Sequence, residues 1–284
     1  MDIYQAILNR RSVRRYRDVP VSKQLLARID DVIAHHVTPL VAQNRFAVMR
    51  RDVMTGEDLI VAMGGYGRIL SPPHFLTPYI IGDQYPLVDL GYRMEQIAIH
   101  MVQLGISVCF IGSLGRETDV RIRFRLMRQA RTAAFLLFGY PAETIAGRAM
   151  NAVFRRRQQS NTKLAADRIF YHQTFDRMQL PPAQIAQLIE AGRLAPSANN
   201  AQPWRFLWLN QHLYLFVREH NPRYGNQAVH QQYRFFDAGT CMSNITLAMK
   251  GLEMKGYWSL LTEDVQGVPQ HPPSLRPIAK LTLE

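Results

Sequence analysis

The strongest constraint on this chain is that part of it occurs twice. The segment from Asp89 to Met101 aligns without a gap on Asp237 to Met249, each position 148 residues after its counterpart. The match pairs Asp89 with Asp237, Gly91 with Gly239, Met94 with Met242, Ile97 with Ile245 and Met101 with Met249. A second block, with one residue inserted in the first copy, sets Val19 through Phe46 against Leu180 through Phe206. Each copy places a proline, Pro20 or Pro181, ahead of apolar residues at helical spacing: Leu25, Leu26, Ile29 and Ile33 in one, Ile185, Leu188 and Ile189 in the other. Each then enters a strand-like run, Arg45 to Met49 or Arg205 to Leu209. Two matched blocks in one order point to two copies of one structural unit.

The expected organisation is a first half over residues 1–150, a connector over 151–167 and a second half over 168–284. The connector lies in a polar, arginine-rich stretch that runs from Thr144 to Asp167. Each half reads as helix, helix, strand, helix, strand, long central helix, strand. In the first half the central helix spans about Leu87 to Leu104, and a late strand spans Thr132 to Gly139. Helices and strands mix without strict alternation, which fits an α+β fold, a mixed sheet flanked by helices, duplicated within one chain.

Composition excludes some function classes. The longest apolar runs, such as Thr132 to Phe138, fall well short of the ~20 residues a membrane helix needs. The start, Met1 to Gln5, lacks the basic opening and apolar centre of a secretory signal, so the cytoplasm is expected. Two cysteines, Cys109 and Cys241, have no second sulfur or histidine at metal-ligand spacing. They read as core residues, and no metal is expected. The net charge of +12 raises the question of nucleic acid, with arginines gathered at Arg121 to Arg131 and Arg155 to Arg157. No zinc-finger, RNP or basic-zipper pattern accompanies them, so the charge reads as a basic surface that attracts anionic small molecules.

Two motifs carry chemistry. Arg10, Arg11, Ser12, Arg14 and Arg15 close an amphipathic N-terminal helix. Guanidinium groups make bidentate bonds to phosphate oxygens and a hydroxyl adds another, although such a cluster taken alone is more often a solvated helix end. The second motif is the loop Pro196, Ser197, Asn199, Asn200, Gln202, Pro203, leading into Trp204 and Phe206. Its side chains can donate and accept hydrogen bonds at the edge of a planar heterocycle, or simply cap a turn.

Together with the Asp-x-Gly central helix and Gly139-Tyr140-Pro141-Ala142-Glu143, these motifs make most of the chain resemble the FMN-dependent nitroreductase family. Members are homodimers with FMN at the subunit interface, one subunit's Arg-x-Ser-x-Arg segment holding the phosphate and the partner's Pro-Ser-x-x-Asn loop reaching the flavin. The resemblance therefore implies an FMN site built from Arg10, Arg11, Ser12 and Arg14 of the first half and Pro196, Ser197, Asn200 and Gln202 of the second. It extends to Ile111 and Gly112, where backbone approaches the ring, to Arg148 as a second phosphate-binding base and to Arg68 near the pyrimidine edge. The reciprocal positions have lost the pattern: His36 to Phe46 lacks Pro-Ser-x-x-Asn, and Tyr171 to Arg177 stands where the arginine-serine segment should be. One chain thus resembles a dimer that kept one of two sites, a monomer acting as a pseudo-dimer.

The activity implied is electron transfer from NAD(P)H to a nitroaromatic, a quinone or a similar small acceptor by a ping-pong mechanism, with the flavin carrying the chemistry and no catalytic side chain. Related-fold alternatives are reductive dehalogenation and flavin fragmentation, and an alternative of another class is a non-catalytic flavin-binding module.

Overall fold

The computed structural model describes residues 1–51, 60–61, 64–65, 70, 72–143, 149, 151–152, 162–261 and 267–284. In the first half, β1 (Arg45–Arg51), β2 (His74–Ile81), β3 (Ser107–Gly112) and β4 (Ala134–Gly139) form an antiparallel sheet in the order β1-β2-β4-β3. In the second half, β6 (Trp204–Leu209), β7 (His212–Arg218), β8 (Gly256–Leu260) and β9 (Leu275–Leu283) repeat that order as β6-β7-β9-β8. A short β5 (Phe170–His172) runs parallel to β6 at the outer edge.

Among the described residues the α-helices are α1 (Ile3–Asn9), α2 (Lys23–His35), α3 (Pro86–Gln103), α4 (Glu117–Phe124), α5 (Ala183–Leu194), α6 (Ala228–Gln231) and α7 (Tyr233–Gly251). The repeated segments are the long α3 and α7, buried on nearly every face, as helices of a core interior must be. They cross at the two repeated glycines. A Cβ on Gly91 would stand 2.0 Å from the carbonyl oxygen of Phe236, and one on Gly239 would stand 1.9 Å from that of Val88. Val88 and Phe236 are themselves 148 residues apart, so the contact is reciprocal, as at a twofold interface between identical subunits. Only a residue without a side chain lets the backbones approach so closely.

Leu76, Val108, Leu136 and Phe138 of the first sheet pack on Leu90, Met94 and Ile97 of α3. Phe206, Leu215 and Ile278 of the second pack with Met242 and Ile245 of α7. The layers are therefore sheet, helix, helix, sheet. α1, started by Asp2 accepting from Gln5 N at 2.8 Å, buries Ile3, Ala6 and Ile7 in the core around α7 rather than among its own half's strands. None of the described helices is long and apolar enough to cross a membrane.

The central helix, expected at Leu87 to Leu104, spans Pro86–Gln103, and β4 starts two residues after the expected Thr132. Each half has two strands after its central helix, β3 and β4 or β8 and β9, where the expected order had one, and the second half departs from that order in other places as well. Between β6 and β7 there is no helix but a tight hairpin through Asn210 and Gln211, both at positive φ, a conformation asparagine tolerates well. At its start, in place of a first helix, stand a 3₁₀ turn at Ala166–Arg168 and the strand β5.

Candidate functional site

A cavity of about 280 Å³ opens between the halves. From the first half it takes Ser12, Arg14, Ile111, Gly112 and Arg116; from the second it takes Pro196 to Asn199, Tyr224, Tyr233 and Asp237.

The arginine-serine segment reaches this cavity because the chain leaves α1 extended and lies against the first sheet. Val13 N donates to Val108 O at 3.1 Å, and Arg17 N to Tyr140 O at 2.9 Å. Asn151 clamps the segment, its Oδ1 accepting from Arg14 N and Arg15 N at 3.0 and 2.9 Å. Alternation along the strand sends Ser12 and Arg14 to one side, into the cavity. Arg10, at the end of α1, is not among the residues that line the cavity; it is 7% exposed, with its Nε 3.5 Å from Glu95 Oε1. Arg11 instead folds back on its own helix end, donating to Leu8 O and Arg10 O at 2.8 Å, and does not line the cavity.

The Pro-Ser loop is held from three sides. Asp237 of α7 accepts from Ala198 N at 3.2 and 3.0 Å, and Thr240 Oγ1 donates to Pro196 O at 2.9 Å. Ser197 Oγ accepts from Gln202 N at 3.0 Å. Asn200 and Gln202 both donate to Thr162 O, at 3.1 and 3.2 Å, and Gln202 also accepts from Leu164 N. Asn200 and Gln202 therefore brace the loop from behind, while Pro196 and Ser197 face the cavity. Asn199, Asn200 and Gln202 all sit at positive φ, and such strain gathers where a binding surface is fixed in advance.

On the opposite wall, β3 ends at Ile111 and Gly112. A Cβ on Gly112 would stand 2.2 Å from Tyr233 Oη, and that hydroxyl accepts from Leu114 N at 3.0 Å. Arg116 donates to Gly112 O at 2.6 Å and Val61 O at 3.2 Å. The expected Arg68 and Arg148 lie outside the described residues. Arg116, Tyr224 and Tyr233 carry no local motif, and Asp237, although part of the Asp-x-Gly motif of the central helix, was not expected at the site. The available signal was the repeat, which pairs Tyr85 with Tyr233 and Asp89 with Asp237.

The ionisable groups behind the wall have displaced pKa values. Burial pushes Asp237 up to about 7, against the stabilising hydrogen bonds of Tyr224 and Ala198 N and the nearby Lys163. Burial likewise raises Glu95 to about 7, against the pull of Arg10 and Lys163. Lys163 is brought down to about 7 by burial and then by Arg10.

The pseudo-equivalent position in the first half is closed on itself. Asp89 accepts from Leu40 N at 2.9 Å, from Asn44 Nδ2 at 3.1 Å and from both Nε and Nη2 of Arg93 at 3.0 Å. Asn44 lies so near Gly82 that a Cβ there would meet its Oδ1 at 1.8 Å. The loop corresponding to Pro196–Gln202 is knotted into its own half.

The sequence matches the model of a family described as "Putative TM nitroreductase" over residues 2–248. Among solved structures, the chain is similar to a Thermotoga maritima protein described as a "putative nitroreductase", at 17% identity and a TM-score of 0.59, covering 100% of this chain and 94% of that one. It is also similar to an FMN-dependent nitroreductase of Clostridium difficile, at 20% identity and TM-score 0.39, over 49% of this chain and 87% of that one. Nitroreductase A of Vibrio parahaemolyticus matches at 18% identity and TM-score 0.43, over 50% of this chain and 70% of that one. No curated protein matches the sequence.

Proposed function

Because the chain belongs to the nitroreductase family, we propose that it is a flavin oxidoreductase that binds one FMN between its halves and moves electrons from NAD(P)H to a nitroaromatic, a quinone or a similar small acceptor in a ping-pong cycle. The observation that carries this reading is the joint lining of one cavity by Ser12 and Arg14 from one half and Pro196 to Asn199 from the other.

The residues present fit the cofactor. Arg10 Nε and Nη1 are buried donors with no hydrogen-bond partner among the described residues, an arrangement suited to a phosphate. Gly112 lines the cavity with the Tyr233 hydroxyl packed where its side chain would stand, and Phe110 and Phe236 meet edge to face, 5.7 Å apart, as an apolar wall. The volume is near the lower end for small-molecule sites. Bound FMN would supply the redox chemistry that no side chain here can. The chain's own part is to hold and shield. Ser12 and Arg14 of the lining, with Arg10 behind them, would hold the phosphate, the braced loop carrying Pro196 and Ser197 would hold the ring, and Arg116 would add positive charge to the cavity that favours an anionic reduced flavin.

The repeat of strand order and the reciprocal glycine crossing support descent of both halves from one duplicated unit, with the ancestral dimer interface now inside a monomeric chain. The protein is proposed to work as a monomer in the cytoplasm, without nucleic-acid partners. Purified protein reconstituted with FMN should show a flavin absorption band that NADH or NADPH bleaches without oxygen. A reconstituted protein with no flavin band would overturn the assignment.

A further inference from the structure

Behind the cavity wall, the charges are arranged in a way that binding alone does not require. Glu95 on α3 is fully buried, and neither Oε1 nor Oε2 accepts a hydrogen bond among the described residues. Its nearest cation is Arg10, at 3.5 Å, whose Nε and Nη1 are equally unsatisfied. Lys163 is the second cation near it, with Nζ donating to Ala195 O at 2.5 Å and lying 5.8 Å from the Trp204 ring. Two residues and four residues beyond Arg10, Ser12 and Arg14 open into the cavity. In the second half, the position matching Glu95 is Ser243, so the carboxylate belongs to this site alone and not to the shared scaffold.

A buried carboxylate so poorly hydrogen-bonded is a costly way to neutralise an arginine. It becomes untenable once a second anion reaches the same cations, because two like charges in a low-dielectric pocket cannot both stay ionised. We propose that Glu95 is a proton-accepting counter-ion: when an anionic group of the ligand docks at Arg10 beside Arg14, Glu95 takes up a proton and releases Arg10 to the incoming anion.

Groups facing this carboxylate support the inference. Arg10, just after α1, and Lys163, ahead of β5, act on it directly. Arg10 in turn is faced by Cys109 of β3 and by Arg11 and Arg14, and Lys163 by Asp237 of α7 and Arg193 of α5. Burial already holds Glu95 at about 7, so the proton is available at neutral pH. The inference rests on the flavin reading in one respect, that the docking anion is the FMN phosphate.

The test is calorimetric titration of the full chain with FMN between pH 7 and 8.5, in buffers of different ionisation heat, with riboflavin as the phosphate-free control. The FMN phosphate, whose second pKa is about 6, stays a dianion over this range. The expected result is uptake of about one proton per FMN at the alkaline end, and an affinity that weakens up to about tenfold per pH unit, while riboflavin shows neither. Glu95→Gln should flatten the FMN profile and bind more tightly than the wild type at pH 8.5. If the variant does not fold, the same titration of Lys163→Met decides: uptake that persists keeps Glu95 as the acceptor, and uptake that disappears moves it to Lys163, a neighbouring group also held at about 7, and overturns the proposal. FMN binding with no proton uptake and no pH slope, or an unchanged slope in Glu95→Gln, overturns the role of Glu95 and leaves the flavin reading intact. Failure of FMN to bind at any pH overturns the flavin reading itself, and this inference with it.

Discussion

Asp89 and Asp237 occupy the same position on two copies of one helix, and both receive a backbone N–H from the loop that precedes the first long strand of their half. Their other partners differ. Asp89 is matched by Arg93 one turn later, whereas the position one turn after Asp237 is Cys241, and Tyr224 OH donates to Asp237 Oδ2 at 2.7 Å instead. The first loop is thereby sealed by a buried ion pair. The second is left facing a cavity with a carboxylate whose charge is only partly compensated. One scaffold thus gives a structural corner in one half and a cavity wall in the other, and the two differ one turn along the helix, where Arg93 is matched by Cys241.

The largest break in this comparison should come from Arg93→Met. It strands Asp89 as a buried charge and should lower stability by about 3–5 kcal/mol in denaturant unfolding, since removing one partner of a buried pair leaves the other uncompensated. A loss below about 1 kcal/mol would show that Asn44 and Leu40 N suffice to hold Asp89. Gly239→Ala should follow, at about 3 kcal/mol, because its methyl group meets the backbone of α3 rather than a movable side chain. The reciprocal Gly91→Ala should behave alike, and unequal losses would break the pseudo-symmetry of the crossing.

At the level of ligand binding, Arg14→Gln should weaken FMN affinity about tenfold to a hundredfold, the scale of a charge-assisted hydrogen bond. Asn44→Ala, in the sealed corner, should leave affinity within about twofold when measured on the folded fraction. Equal losses would mean that both corners bind ligand.

A further effect is expected on pH dependence. Asp237 is held at about 7 in the fold, above the ordinary ~3.9 of an unfolded aspartate. Its protonated form favours the folded state, so that contribution is complete below about pH 4 and is lost as pH rises through 7. Asp237→Asn should therefore flatten part of the fall in melting temperature between pH 4 and 7. Part of the fall should remain, because Glu95 shifts in the same direction. An unaltered profile would place the titration elsewhere.

The repeat was legible because physics demands the same residue twice. A backbone crossing needs glycine on both helices, and a buried helix needs apolar residues all round, so the bounds of α3 fell within one residue of those read from spacing. Half of the site was legible for a similar reason, since Arg10, Ser12, Arg14, Pro196 and Ser197 belong to compact motifs. The rest depends on distant parts of the chain. Arg116 and Tyr233 meet Gly112 only through the packing of the two halves, and Asn200 and Gln202 turned out to brace the loop through Thr162, a contact that spacing does not reveal. The hairpin at Asn210 and Gln211 lacked the usual glycine, so nothing local marked it as a turn.

The central claim is that two similar halves make one site, and binding stoichiometry tests it most directly. Titration of a known concentration of the chain with FMN, read by flavin fluorescence together with sedimentation of the complex, should end at one FMN per 32.7 kDa chain in a monomer. Two FMN per chain would contradict the account, as would one FMN bound only by a dimer of chains.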